Sequence, residues 1–300
     1  MDLTTDLAGI KLRNPTMLAA GILGISSSLL NRIYEAGAGC VITKSIGPVP
    51  RPGYSNPCIV EVPGGYLNAM GLPNPGIEIF LEELNELNQM KIPTVVSIFA
   101  DNETKFANIA RIVEEKGALG IELNISCPHA EVASIGQNPI ITKRVVEAVK
   151  HAVSIPIFVK LTPNVTDIVE IAVAAEKAGA DGLTAINTVR SMALDIYSKT
   201  PILSNKYGGL SGPAIKPIAI RCIYDIYESV KIPLIGVGGI LSWQDAIEFF
   251  LAGASAVQIG TGIRYRGLSI FQEICKGIQE YLKNEKYSSL SEIIGVAHRA

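Results

Sequence analysis

Short apolar runs rich in β-branched residues alternate along this chain with longer stretches in which apolar residues return every three to four positions. Eight runs read as strands, over residues 16–21, 40–45, 94–100, 120–126, 156–162, 182–188, 233–239 and 256–261. Between most of them lie helical patterns, over residues 28–36, 77–90, 103–116, 140–152, 167–178, 214–229 and 243–251. Four of these lead into Gly37-Ala38, Gly117-Ala118, Gly179-Ala180 and Gly253-Ala254, as expected of helix C-caps just before a strand. Eight strand–helix units predict an α/β fold, a TIM (β/α)8 barrel forming one domain over residues 1–300. The segments 47–76 and 190–212 each sit between a strand and the next helix, so they read as enlarged βα loops over the active face. Residues 1–14 alternate around Gly9 and read as an N-terminal hairpin capping the opposite end. A doubly wound sheet would need a glycine-rich dinucleotide turn after its first strand, and Gly21-Ile22-Leu23-Gly24 does not fit.

Charge and composition narrow the function classes. A net charge of -2 with scattered Lys and Arg leaves no footprint for nucleic acid. Mean hydropathy is high at +0.32. Yet the longest apolar stretch, residues 249–263, is broken by Gly253, Ser255, Gln258, Gly260 and Gly262, so no span of a membrane is expected. The apolar excess suits subunit contacts, hence a homo-oligomer. Five cysteines without CxxC or metal-ligand spacing, and a start that reads as hairpin rather than leader, predict no metal site and a reducing cytoplasm.

The polar residues at the strand ends form a set. Asn124-Ile125-Ser126-Cys127-Pro128-His129 follows the buried-strand pattern Gly120-Ile121-Glu122-Leu123, so Cys127 falls just past a strand's carboxyl end. Asn124 falls at the end of the same strand, and Lys44, Lys160, Asn187 and Thr188 fall at or just past the ends of the second, fifth and sixth strands. A lysine inside Phe158-Val159-Lys160-Leu161 would strand a charge unless it is paired, and two such lysines beside asparagines point to a bound anion or polar ring. Gly236-Val237-Gly238-Gly239 and Gly260-Thr261-Gly262 end the seventh and eighth strands, where barrels commonly hold a phosphate on backbone N–H groups.

These residues carry a resemblance over nearly the whole chain. Asn14-Pro15 leading into Ala19-Ala20-Gly21, Thr43-Lys44-Ser45, Asn68-Ala69-Met70-Gly71-Leu72-Pro73-Asn74, residues 124–128, Val159-Lys160-Leu161, Asn187-Thr188 and residues 208–214 follow in the same order in one family. The chain resembles the dihydroorotate dehydrogenases of the cytosolic, cysteine-dependent class, nearest to the NAD-linked two-subunit type. The resemblance implies an FMN-containing barrel that oxidises dihydroorotate to orotate in pyrimidine biosynthesis. It puts FMN against Ala20, Lys44, Ser45, Ser97, Asn124, Lys160, Ile186 and Gly212, with the phosphate on Gly238, Gly239, Gly260 and Thr261. It puts the substrate ring against Lys44, Asn68, Ala69, Met70, Gly71, Leu72, Asn124, Asn187 and Thr188. Cys127 would be the general base that takes a proton from C5 while hydride leaves C6 for the flavin.

Some positions depart from the family's habit. Ser97 stands where an asparagine is usual, Ala20 where serine is frequent, and His129 where a second asparagine is common. Ser-Cys-Pro-His also occurs in dihydropyrimidine dehydrogenase, so uracil or thymine reduction is the alternative; the Asn68–Asn74 segment argues against it. A Schiff-base aldolase using Lys160 is a remoter reading that leaves Cys127 and the asparagines unused. The resemblance also implies an electron outlet, either a separate subunit carrying FAD and an iron–sulfur cluster or a soluble acceptor such as fumarate reduced by a homodimer.

Overall fold

The computed structural model describes residues 2–126 and 135–299. Eight parallel strands close into a barrel in chain order: β1 (Thr16–Leu18), β2 (Cys40–Ile42), β3 (Thr94–Ile98), β4 (Gly120–Asn124), β5 (Ile157–Leu161), β6 (Gly182–Ala185), β7 (Leu234–Val237) and β8 (Ala256–Ile259). Each expected strand is present, although most are shorter than the apolar runs that announce them. The outer helices are α1 (Ser27–Glu35), α2 (Ile77–Gln89), α3 (Glu103–Glu115), α4 (Pro139–Ala152), α5 (Ile168–Lys177), α6 (Lys216–Tyr227), α7 (Trp243–Leu251) and α8 (Ile270–Asn284). Local chemistry sets their ends. Asn102, Asn138 and Asp167 accept backbone N–H groups at the starts of α3, α4 and α5, and Ser242 with Asp245 forms a capping box on α7. Gly37, Gly117, Gly179 and Gly253 close their helices at positive φ, as the Gly-Ala steps predict.

The two-residue period of the strands separates two cores. Leu18, Val41, Val96, Ile98, Ile121, Leu123, Val159, Leu161, Leu183, Leu234, Val257 and Ile259 face outward and pack under the helices. Met17, Cys40, Ile42, Val95, Phe158, Ile235 and Ala256 turn inward at the amino-terminal end of the barrel. An antiparallel hairpin, Thr5–Leu7 with Ile10–Leu12, plugs that end, and Leu7, Ile10 and Leu12 complete the inner cluster.

The enlarged loops do more than cover the mouth. Ile59–Val62 and Gly65–Asn68 come from the loop after β2, and Val189–Ser191 and Gly208–Ser211 from the loop after β6. The four strands form one antiparallel sheet, with Gly65–Asn68 paired to Gly208–Ser211 across the two loops. A small hairpin, Leu194–Asp195 with Thr200–Pro201, projects from the second loop. Neither feature is evident in the sequence pattern.

Candidate active site

Above the apolar plug the inward positions turn polar. Ser97 on β3, Glu122 and Asn124 on β4, Lys160 on β5, Thr184 on β6 and Gln258 on β8 are all buried. They divide into two groups. In the lower one, Glu122 Oε2 accepts hydrogen bonds from Gln258 Nε2 at 2.8 Å and Thr184 Oγ1 at 3.2 Å. Its Oε1 lies 3.7 Å from Lys160 Nζ, and neither side chain is more than 7% exposed. Lys160 therefore has the partner its buried position demands.

The upper group is a continuous hydrogen-bonded chain across the mouth. Ser97 Oγ and Ser45 Oγ share a bond of 2.9 Å, and Asn124 Nδ2 donates to Ser45 Oγ at 2.9 Å. Asn124 Oδ1 accepts from Ser126 Oγ at 3.0 Å, Asn187 Nδ2 donates to Ser126 Oγ, and Thr188 N donates to Asn187 Oδ1 at 2.8 Å. Ends of β2, β3, β4 and β6 are thus tied into one rim.

The glycine turns meet on the opposite side. Gly238 and Gly239 leave β7 at φ 137° and 76°. A Cβ on Gly239 would stand 2.9 Å from Gly212 O and 2.8 Å from Lys216 Cβ, so this turn is seated against the loop that opens α6. Thr261 Oγ1 donates to Ser211 Oγ at 2.8 Å, and a Cβ on Gly260 would meet only Ala19 Cβ within 4 Å, at 3.4 Å. Ile186 N donates to Val237 O at 2.9 Å and its side chain is buried. Gly212, Gly238, Gly239, Gly260 and Thr261 therefore come together at the ends of β7 and β8, beside Ala19, while Ala20 packs against the inner cluster.

The segment 68–72 is joined to the rim through the loop sheet. Asn68 Nδ2 donates to Gly209 O at 3.2 Å, and a Cβ on Gly209 would lie 2.0 Å from Thr188 Oγ1. Ala69 N donates to Cys58 O at 2.8 Å, and Met70 O accepts from Tyr54 N at 3.0 Å. Gly71 and Leu72 follow at φ 75° and 55°. Asn74 pins the turn: its Oδ1 accepts from Gly47 N and Gly76 N, and its Nδ2 donates to Leu72 O. Lys44 is half-buried at the end of β2, and burial lowers its pKa from the ordinary lysine value.

Cys127 and His129 lie outside the described residues; Ser126, which precedes Cys127, is within them. Burial makes three of the other thiols poor nucleophiles. Burial pushes Cys40 up to about 12 and Cys275 up to about 11, and it also raises Cys222. Among the described residues no group of His, Cys, Asp and Glu is arranged to hold a metal ion. Sequence reasoning passed over Glu122, Ser126, Thr184 and Gln258. The signal was available, since each is a polar residue in or just after a run that is otherwise buried.

Residues 2–282 match the family described as Dihydroorotate dehydrogenase. The chain belongs to the dihydroorotate dehydrogenase family. It is 56% identical to the dihydroorotate dehydrogenase B (NAD(+)) catalytic subunit of Methanocaldococcus jannaschii, over 99% of this chain and 98% of the relative. The proteins of the same name from Methanothermobacter thermautotrophicus and Pyrococcus abyssi are 54% and 56% identical, over 99% and 98% of this chain and 98% and 99% of each relative. Such similarity to dihydroorotate dehydrogenases does not favour the uracil-reducing or aldolase readings. Among the described residues, no helix is long and apolar enough to cross a membrane.

Proposed function

We propose that this chain oxidises (S)-dihydroorotate to orotate in pyrimidine biosynthesis as the FMN-dependent catalytic subunit of a dihydroorotate dehydrogenase. The observation that carries the reading is the rim, a row of hydroxyls and amides above a buried ammonium, facing glycine turns at the ends of β7 and β8. That donor set fits FMN. The turns suit its phosphate on backbone N–H groups. Ala20, Ser45, Ser97, Asn124, Ile186 and Gly212 would line it, with Gly238, Gly239, Gly260 and Thr261 at the phosphate. When bound, FMN supplies the hydride acceptor for C6 of the substrate.

The chain's own residues supply the rest. Lys44 pairs with the substrate carboxylate, and Asn68 through Leu72, Asn124, Asn187 and Thr188 hold the ring. Cys127 takes the proton from C5, which requires a base held within hydrogen-bond reach. A free thiol titrates near 8.5, so the positive charges of Lys44 and Lys160 would favour the thiolate. Lys160 would hold its ammonium toward the pyrimidine edge of bound FMN and supply positive charge there. The loop over residues 47–76 excludes water from the ring.

The curated relatives are named as catalytic subunits. We infer that this chain, as a cytoplasmic homodimer, passes its electrons to a separate subunit carrying FAD and an iron–sulfur cluster. Anaerobic mixing of the purified yellow protein with dihydroorotate should bleach the flavin, and dihydrouracil should leave it oxidised. A colourless protein that cannot be reconstituted with FMN would sink the reading. The chain alone should turn over with an artificial dye far faster than with NAD; rapid NAD reduction would remove the second subunit.

A further inference from the structure

Glu122 has no place in the mechanism above, yet it occupies the centre of the barrel with no exposed surface. A carboxylate there is costly unless something fixes it. Gln258 and Thr184 saturate one of its oxygens, Oε2, at 2.8 Å and 3.2 Å. Its other oxygen, Oε1, accepts no hydrogen bond among the described residues and stands 3.7 Å from Lys160 Nζ. The carboxylate is therefore anchored from β6 and β8, and its free edge is turned to an ammonium on β5. Lys160 is itself buried, so that ammonium relies on Glu122 for countercharge.

We propose that Glu122 is a positioning residue for Lys160: it holds the ammonium aimed at the pyrimidine edge of the flavin, and so raises the flavin's reduction potential. The inference rests on the flavin reading above. Two effects of losing Glu122 oppose each other. Removing a negative charge near the flavin would favour the reduced form. Leaving the buried ammonium without its partner displaces it, and that would withdraw a positive charge from the flavin's pyrimidine edge. In the flavin reading it is Lys160, not Glu122, that faces the flavin, so the second effect should dominate.

The test is the midpoint potential of the FMN-loaded protein, together with its affinities for oxidised and reduced FMN. Glu122→Gln should shift the two-electron equilibrium roughly tenfold toward oxidised flavin, about 30 mV downward, and weaken reduced FMN more than oxidised FMN. Lys160→Met should lower the potential at least as far, and in the double variant, where only the direct effect of removing the negative charge is left, Glu122→Gln should bring no further fall and a potential at or above that of Lys160→Met. Glu122→Asp keeps the charge but draws it back by one methylene; it should shift the potential the same way by less, and it carries the test if Glu122→Gln does not fold. An unchanged or raised potential in the Glu122 variants would overturn the proposal. So would a Glu122→Gln shift that persists undiminished beside Lys160→Met. A wild-type chain that binds no FMN would overturn the flavin reading and this one together, whereas equal potentials among FMN-loaded variants would overturn this one alone.

Discussion

Leu7→Ala probes whether the N-terminal hairpin is part of the barrel's core or a detachable cap. Leu7 is 0% exposed and packs with Met17, Ile42, Val95, Phe158 and Ile235 inside the barrel. Truncation removes about three buried carbons, worth about 2.4 kcal/mol at about 0.8 kcal/mol per CH₂. The strands around it are held by the closed barrel and cannot collapse, so most of the volume stays as a cavity. At about 24 cal/mol per Å³ this adds up to ~2 kcal/mol, for a total of about 4 kcal/mol. With 300 residues and an unfolding entropy of about 2.1 cal/mol/K per residue, the expected fall in Tm is about 6 °C. The assay is differential scanning calorimetry of the FMN-free protein, with Lys11→Ala as control. Lys11 is exposed on the same hairpin and should change stability by less than about 0.5 kcal/mol. The polar layer of Glu122, Lys160, Thr184 and Gln258 separates the plug from the rim, so kcat at 25 °C should be unchanged. A fall in Tm below 1 °C, or no difference between the two variants, would show that the hairpin does not fill the barrel.

Cys127→Ala should slow flavin reduction by dihydroorotate roughly 10² to 10⁴-fold with FMN retained, read by anaerobic stopped flow; a normal rate would place the base elsewhere. Gly209→Ala puts a methyl where Thr188 Oγ1 lies 2.0 Å away, so it should raise KM for dihydroorotate by about tenfold or more while FMN affinity holds. Equal loss of both would locate the damage in the fold. Asp245 gives the pH dependence. Burial alone would raise its carboxyl, but hydrogen bonds from Lys216, at 2.7 Å, and from Leu241 N and the Ser242 hydroxyl hold it below the ordinary range. A depressed carboxyl stabilises the fold above its unfolded value, about 3.9, and loses that contribution as pH falls through its folded value. Asp245→Asn should therefore cost about 1–2 kcal/mol in urea denaturation at pH 7, and the difference from wild type should vanish in strong acid.

The order of strands and helices was legible in the chain because a strand buried on both faces must be apolar throughout, while a helix covering it needs only one apolar stripe. The Gly-Ala steps and the caps at Asn102, Asn138 and Ser242 act within a turn of chain, so they too can be read locally. Lys44, Asn124, Lys160, Asn187 and Thr188 were visible as polar residues where strands end, and the barrel topology then places strand ends on one face. The sequence by itself could not say which of these touch. Glu122 looks like one charge in an apolar run; only barrel closure, which sets β4 beside β5 and turns β6 and β8 toward the same axis, makes it the partner of Lys160, Thr184 and Gln258. The chain of hydrogen bonds from Ser97 to Thr188 likewise bonds residues as far as 79 positions apart, Ser45 and Asn124. The sheet shared by the loops after β2 and β6 is of the same kind, since Asn68 and Gly209 are 141 residues apart. Such contacts depend on register and parity in three dimensions, and no window of local sequence contains them.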